Sequence, residues 1–445
     1  MIQHFNRFFQ FYLLLLIWSL SSIYFGSIAS VVVGASLLLL WKKQRITELF
    51  LGFIFILILS DNISEVFTFA KSFKNIYILL LFFILVIDRE KFIPYSSFHK
   101  GFIPFILVAF IALMYAGNFN VSLMKTFSYF LLIMIVPNYL RRAYKEEGLN
   151  IIKDMVYFLF VVLLACIMVA YLFNKFSFID MRLRGLFGNP NGLGIFLFLV
   201  FVFFFIVNKI WPDLFQRKEK FILYILLFYT LFLTNSRTAI LSIFILLLFT
   251  RLYRLSPYLG FLVLVVAGVG IELIFMNMVK IVQAVGLDEY FRLHTLEEGS
   301  GRFVAWNFAW FKIQDFFFIG GSFGNDEYIM RQNYAFLTQL GHQGGVHNSY
   351  LTLWFDVGLV GIVLYFVNFF KIFLKAAQNF KYAFPVLFSV LFCITYESWL
   401  AGSLNPFTII LFSSLTLLND YDFFTVQNLS PENDFVEKNK LIPAT

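Results

Sequence analysis

Arginine and histidine carry most of the chemistry this sequence has to offer. Arg182 and Arg184 stand in Met181-Arg182-Leu183-Arg184-Gly185-Leu186-Phe187-Gly188-Asn189-Pro190-Asn191, Arg237 in Thr234-Asn235-Ser236-Arg237-Thr238, and Arg302 in Ser300-Gly301-Arg302. A guanidinium is a planar fork of donors that matches phosphate oxygens and stays charged at any working pH. Two or three of them converging from distant segments would make a pyrophosphate-sized anion site. Gly185, Gly188, Gly192 and Gly194 would let backbone approach it closely, with Asn191 opening the next helix and lending its positive end. His347 lies in Gly344-Gly345-Val346-His347-Asn348-Ser349-Tyr350, where a polar interval gives way to an apolar run. Its ring is suited to taking a proton from a hydroxyl near neutral pH. The plainer alternative is that His347-Asn348-Ser349 only caps that run. Asp356 and Glu397 are the acidic candidates, each as suited to pairing with an arginine as to acting as a base. His294 and His342 are expected to be solvated. No HExxH, HxxxH or DxD pattern points to a metal, and no nucleophile elbow or triad spacing is present.

The elements that must position these residues are apolar helices. Of the 445 residues 60% are hydrophobic and only 13% charged, too few charges to coat a soluble globule of this length. Apolar runs fall at roughly 8–25, 27–41, 49–69, 75–87, 101–116, 122–138, 154–173, 191–208, 220–234, 237–251, 256–276, 350–373, 382–397 and 404–418. They predict an all-α, polytopic transmembrane protein of about 12–14 spans, the shorter neighbours merging or tilting. The first run has no small-residue cleavage site and reads as a retained span. Cys166 and Cys393 both fall inside apolar runs and read as buried small hydrophobes. The net charge of +8 is explained by topology, not by nucleic acid. Lys42, Lys43, Arg45, Arg89, Arg141, Arg142, Lys209 and Lys375 occupy alternate connections, so the positive-inside rule puts both termini in the cytoplasm. The arginines named above are then exceptions on the outer side. Arg237 sits between two apolar runs, where a charge is paired, functional, or snorkelling to headgroups. The expected organisation is a helical region at 1–278, a long external loop at 279–349, further helices at 350–418, and a polar cytoplasmic tail at 419–445. Loops as long as 279–349 are generally functional or disordered. No internal repeat suggests a transporter with inverted halves.

Five short motifs in order resemble those of the O-antigen ligase and polymerase superfamily. They are Arg184 to Asn191, Ser236-Arg237-Thr238, Ser300-Gly301-Arg302 with Trp306, Gly320-Gly321-Ser322-Phe323-Gly324, and His347-Asn348-Ser349-Tyr350-Leu351 with Gly358 and Gly361. The resemblance covers roughly residues 180–365 and implies a GT-C-like, inverting glycosyltransferase of the bacterial cytoplasmic membrane. Its site would face outward, with no metal, nucleotide sugar or other cofactor. The implied donor is an oligosaccharide on undecaprenyl pyrophosphate, with the lipid bilayer, a flippase and a chain-length regulator of the same pathway as further partners. By carry-over, Arg237 and Arg302 would bind the pyrophosphate and His347 would orient or deprotonate the acceptor hydroxyl. Arg182, Arg184, Asn191, Asn348 and Tyr350 would contact substrate. Polymerase and ligase both remain open. Repeat-unit polymerases are numerous and varied outside these motifs, which favours polymerase, and an exporter of the same glycans is the rival from another class.

Overall fold

A computed structural model describes residues 2–62, 64–255 and 301–426 of the chain. The expected span at 256–276, the start of the long loop with His294 and Ser300, and the tail beyond 426 lie outside the described residues. The helices are α1 (Ile2–Phe25), α2 (Ala29–Lys42), α3 (Ile46–Asp61), α4 (Thr68–Ile87), α5 (Arg89–Phe92), α6 (Phe98–Ala112), α7 (Phe119–Glu147), α8 (Leu149–Leu172), α9 (Asn174–Ser177), α10 (Pro190–Ile210), α11 (Arg217–Thr234) and α12 (Arg237–Leu255). After residue 300 come α13 (Arg302–Ile313), α14 (Asn325–Gln332), α15 (Tyr334–Gln339), α16 (Ser349–Ala377), α17 (Ala383–Tyr396), α18 (Pro406–Asn419) and α19 (Tyr421–Val426). Between α9 and α10 a two-residue hairpin pairs β1 (Phe178–Ile179) with β2 (Arg182–Leu183). Among the described residues, seven helical stretches are long and apolar enough to cross a membrane. The protein is a polytopic all-α membrane protein.

Which helices are central follows from their sequences. In α3 every residue from Ile46 to Ser60 is buried, and α10 and α18 are enclosed almost as completely. An apolar helix without a polar stripe belongs inside a bundle. By contrast α1, α4 and α11 each leave a row of large apolar side chains exposed, as a face toward lipid would. Gly26, at a φ of +54°, separates α1 from α2. The third and fourth runs divide differently from the sequence expectation: α3 stops at Asp61, and Thr68 already begins α4.

Because successive helices run up and down, the connections gather at two ends. At one end Arg142 reaches Gln44 (2.8 Å) and Asp88 (3.5 Å), Arg141 pairs with Asp420 (2.8 Å), and Thr47 donates to Glu147 (2.6 Å). At the other end Asn62 donates to the Leu186 carbonyl (2.9 Å) and Lys74 to that of Leu404 (3.0 Å). The described part of the long loop folds at this second end as α13–α15. These helices share a small apolar cluster of Ala305, Ala309, Ile313, Met330, Leu337, Val346 and Phe355.

That cluster is docked on a break in α16. Gly358 has a φ of +65° and a ψ of −175°, outside any helical conformation and almost exclusive to glycine. The backbone groups released there are taken up by the loop: Gly321 N–H donates to the Phe355 carbonyl (2.8 Å), and Leu359 and Val360 donate to Phe317 (2.9 Å) and Phe318 (3.1 Å). A Cβ on Gly358 would lie 2.3 Å from the Phe318 carbonyl carbon, and one on Gly320 only 2.5 Å from the Gly358 nitrogen. Gly320 and Gly358 thus form a backbone-to-backbone glycine joint.

Candidate functional site

Arg302 is placed by the residue before it. Gly301 adopts the left-handed conformation, and a Cβ there would stand 2.8 Å from the Gly341 carbonyl oxygen. The helix α13 therefore starts hard against residues 341–342. Its first side chain, Arg302, donates from Nη2 to Oε1 of Glu397 at 3.2 Å. One turn on, Trp306 donates its indole N–H to the Val346 carbonyl (3.0 Å), holding the segment that leads into His347.

His347 has a φ of +50°, uncommon for a residue other than glycine, so the chain turns sharply just before α16. Its Nδ1 lies 3.9 Å from Oε2 of Glu397. Glu397 thus faces Arg302 with one oxygen and His347 with the other, its side chain only 6% exposed against 35% for the imidazole. On the far side of the ring, a Cβ on Gly344 would come within 3.1 Å of Nε2. Glycine at 344 keeps that nitrogen approachable.

The residues that follow His347 are each engaged within the protein. Asn348, expected to contact substrate, is the N-cap of α16 and accepts from the Tyr350 (2.9 Å) and Leu351 (3.1 Å) backbone. Ser349 donates to the Glu397 carbonyl at 2.6 Å and accepts from Leu400 N–H, tying the 397–400 segment to the start of α16. Tyr350, also expected at the substrate, stacks on Phe366 and donates to the Leu391 carbonyl (3.2 Å).

A cavity of about 270 Å³ opens beside His347 and Glu397, lined also by Asp61, Arg182, Asn189, Asn191, Trp399 and Phe407. It sits over the N-terminus of α10. Asn191 was expected to open that helix, but Asn189 does so, accepting from Gly192 N–H at 2.8 Å. Pro190 occupies the first helical position, which suits its missing N–H. Asn191 instead accepts from Arg182 (2.7 Å), whose guanidinium also donates to the carbonyls of Thr234 (2.9 Å) and Asn235 (3.2 Å). Arg182 stands on the hairpin at a turn whose two residues, Asp180 and Met181, both have positive φ. It clasps the α11–α12 connection to the cavity wall. Arg184 is used elsewhere, donating to the Phe176 carbonyl (2.8 Å) and lying over the Phe176 ring. It does not line the cavity.

Arg237, half-buried, is the first residue of α12. It follows directly on Ser236, which packs against Gly194 so closely that a Cβ on that glycine would meet it at 2.4 Å. Two residues before Arg237 is Asn235, the carbonyl acceptor for Arg182. The start of α12 is thereby fixed next to the start of α10.

Two further expectations need correction. His342 is not solvated but 2% exposed, its Nε2 3.1 Å from the Gly345 carbonyl and its ring centroid 6.2 Å from that of His347. Burial, and then the neighbouring His347, push its pKa below the ordinary histidine value. Asp356 neither lines the cavity nor approaches His347. Its Oδ1 accepts from Gly324 and Asn325 N–H, both at 3.1 Å, and so anchors the start of α14. Asp61 escaped sequence reading because it falls inside what reads as one apolar run, 49–69, with no motif around it. Asn189 was legible, since Asn-Pro before an apolar run is a cap followed by the first helical position; Asn405-Pro406 repeats it at α18.

Residues 222–366, about a third of the chain, match the family model described as O-antigen ligase. This stretch belongs to the O-antigen ligase and polymerase superfamily. It contains Arg237, Arg302, the glycine joint and His347, while Asp61, Arg182, Asn189, Asn191 and Glu397 come from outside the ligase-family stretch. The match supports a glycosyl-transfer activity of the ligase or polymerase type and does not separate the two. No curated protein matches the chain.

Proposed function

We propose that this protein is a polysaccharide polymerase joining undecaprenyl-pyrophosphate-linked repeat units on the outer face of the bacterial cytoplasmic membrane. The observation that carries the reading is the line Arg302–Glu397–His347 at the cavity mouth, at the end of the bundle away from the basic clusters. In this reading His347 Nε2 takes the proton of an acceptor hydroxyl as its oxygen bonds to the anomeric carbon of the donor sugar. The bond from that carbon to the pyrophosphate breaks with inversion, and the electron pair leaves with the phosphate. Glu397, beside Nδ1, stabilises the imidazolium that forms. Arg302 and Arg237 meet the charge developing on the pyrophosphate, a task for fixed donors that need no reorganisation. No metal or nucleotide sugar takes part. Repeat-unit polymerases of this superfamily are numerous and varied outside the shared motifs, which favours polymerase. A ligase that moves a finished glycan onto lipid A-core or another acceptor is the second reading, favoured by the description of the matched family.

Two measurements test this. Arg237→Ala, Arg302→Ala and His347→Ala, each shown to insert at normal levels, should lower product by at least about a hundredfold, the low end for loss of a general base or a transition-state donor. Near-normal product in any of the three removes that residue from the mechanism. The glycan profile of a deletion strain separates the readings: single repeat units on the envelope mean a lost polymerase, and long chains stranded on carrier lipid a lost ligase.

A further inference from the structure

The cavity itself is poorly suited to a pyrophosphate. Two carboxylates line it, Asp61 and Glu397, which repel an anion, and its one arginine among the described residues, Arg182, already donates to Asn191 and to the Thr234 and Asn235 carbonyls. Glu397 is answered by Arg302, whereas Asp61, the last residue of α3, has no direct ion pair among the described residues and is offset only at longer range by Lys74 and Lys71. Its contact with the chain is an acceptance from Gly188 N–H at 3.0 Å. A carboxylate has about four acceptor positions, and this bond uses one. A neutral side chain could serve Gly188 equally well. A charge at the tip of a helix buried on all sides is costly to place unless something needs it.

The remaining walls fit one kind of guest. Trp399 and Phe407 supply adjoining aromatic surfaces, their ring centroids 6.5 Å apart and their planes at 67°. Gly192 preserves the space between Asp61 and Phe407: a Cβ there would come to 3.4 Å from Oδ2 of Asp61 and 3.6 Å from the Phe407 ring. Carboxylates that accept from hydroxyl donors, amides beside them, and aromatic surface for an apolar C–H face together match a neutral polyhydroxylated ring. A volume of about 270 Å³ holds on the order of nine waters' worth of liquid, comparable with a single sugar ring.

We propose that Asp61 binds the acceptor sugar, so that this cavity is the acceptor subsite and the donor pyrophosphate lies outside it, toward Arg302 and Arg237. The inference rests on the glycosyl-transfer reading above. His347 stands at the rim of the cavity, where it meets a hydroxyl of a ring held by Asp61. Asp61 is a binding residue and takes no proton in the reaction.

The test uses the full chain in lipid nanodiscs, with lipid-linked glycan extracted from a deletion strain as donor. The same oligosaccharide, freed from its lipid by mild acid, serves as acceptor-site probe, because without pyrophosphate it cannot donate. Asp61→Asn keeps an oxygen for Gly188 but removes the charge. The half-saturating concentration of the freed oligosaccharide, read as acceptor or as inhibitor of lipid-linked transfer, should rise at least about tenfold, as for loss of one charge-assisted hydrogen bond. That of the lipid-linked donor, titrated with the freed oligosaccharide saturating as acceptor, should stay within about twofold. Equal oligosaccharide titrations for wild type and Asp61→Asn overturn the assignment, as does a shift confined to the donor or a wild-type chain indifferent to the probe. If only Asp61→Ala is impaired, Asp61 merely supports Gly188, and the assignment again fails. Absence of any transfer by the wild type would instead overturn the underlying function.

Discussion

At the scale of single residues, each member of the His347 motif has a separate task. His347 faces the cavity, Asn348 caps α16, Ser349 ties down the Glu397 segment, and Tyr350 packs into the bundle. The sequence offered catalysis and capping as competing explanations of one motif, whereas the cap falls to Asn348 and His347 lines the cavity. The arginines divide likewise: Arg302 and Arg237 were legible as outward basic groups, but nothing in the sequence reveals that Arg184 spends its donors on carbonyls. Glu397 was legible as an acid, and its bridging position only when α13 and α17 are brought together. The buried His342 has a consequence for pH. Its folded pKa lies below the value of an opened chain, so acid favours the opened state, and the stability linked to it is lost as pH falls through about 6.5. Relative to intrinsic amide exchange, which itself slows as pH falls, exchange of the 337–347 amides should quicken between about pH 7.5 and about pH 5.5. In His342→Gln that acceleration should largely vanish. Equal pH dependence in the two proteins would show that another group controls the segment.

At the scale of elements, the apolar runs were legible because an all-round apolar helix leaves a plain pattern. Their ends were less so, as the exchange of 49–69 for a helix ending at Asp61 shows: Asn62 and Ser64 interrupt the helix inside what reads as a continuous run. The break in α16 was not legible either, since Gly358 lies in an otherwise helical stretch and its partner backbone is near residue 320. Gly358→Ala should cost at least about 1–3 kcal/mol from conformation alone, and the clash with Phe318 adds to it. A fall in apparent Tm in detergent, with altered proteolysis of 301–348, is the expected readout. An unchanged Tm would mean that the joint yields without penalty.

For the molecule as a whole, the class of protein is legible in the sequence, but not the cavity, because its walls are drawn from distant parts of the chain. The orientation has a direct test. Asn325 is only 5% exposed and a poor labelling position, whereas the Arg331 side chain is 83% exposed. A cysteine replacing Arg331 should react with an impermeant thiol reagent added to intact cells. Labelling only after lysis would reverse the proposed topology, and with it the outer-face reaction. The enclosure of α3 also sets a timetable. Asp61 leaves the ribosome before the Phe407 wall does, because α3 precedes α18 in the chain. A chain that has not yet reached α18 holds no finished cavity and, on the function proposed above, cannot carry out transfer. A chain cut just before Pro406 should be inert even with every arginine and histidine of the site in place.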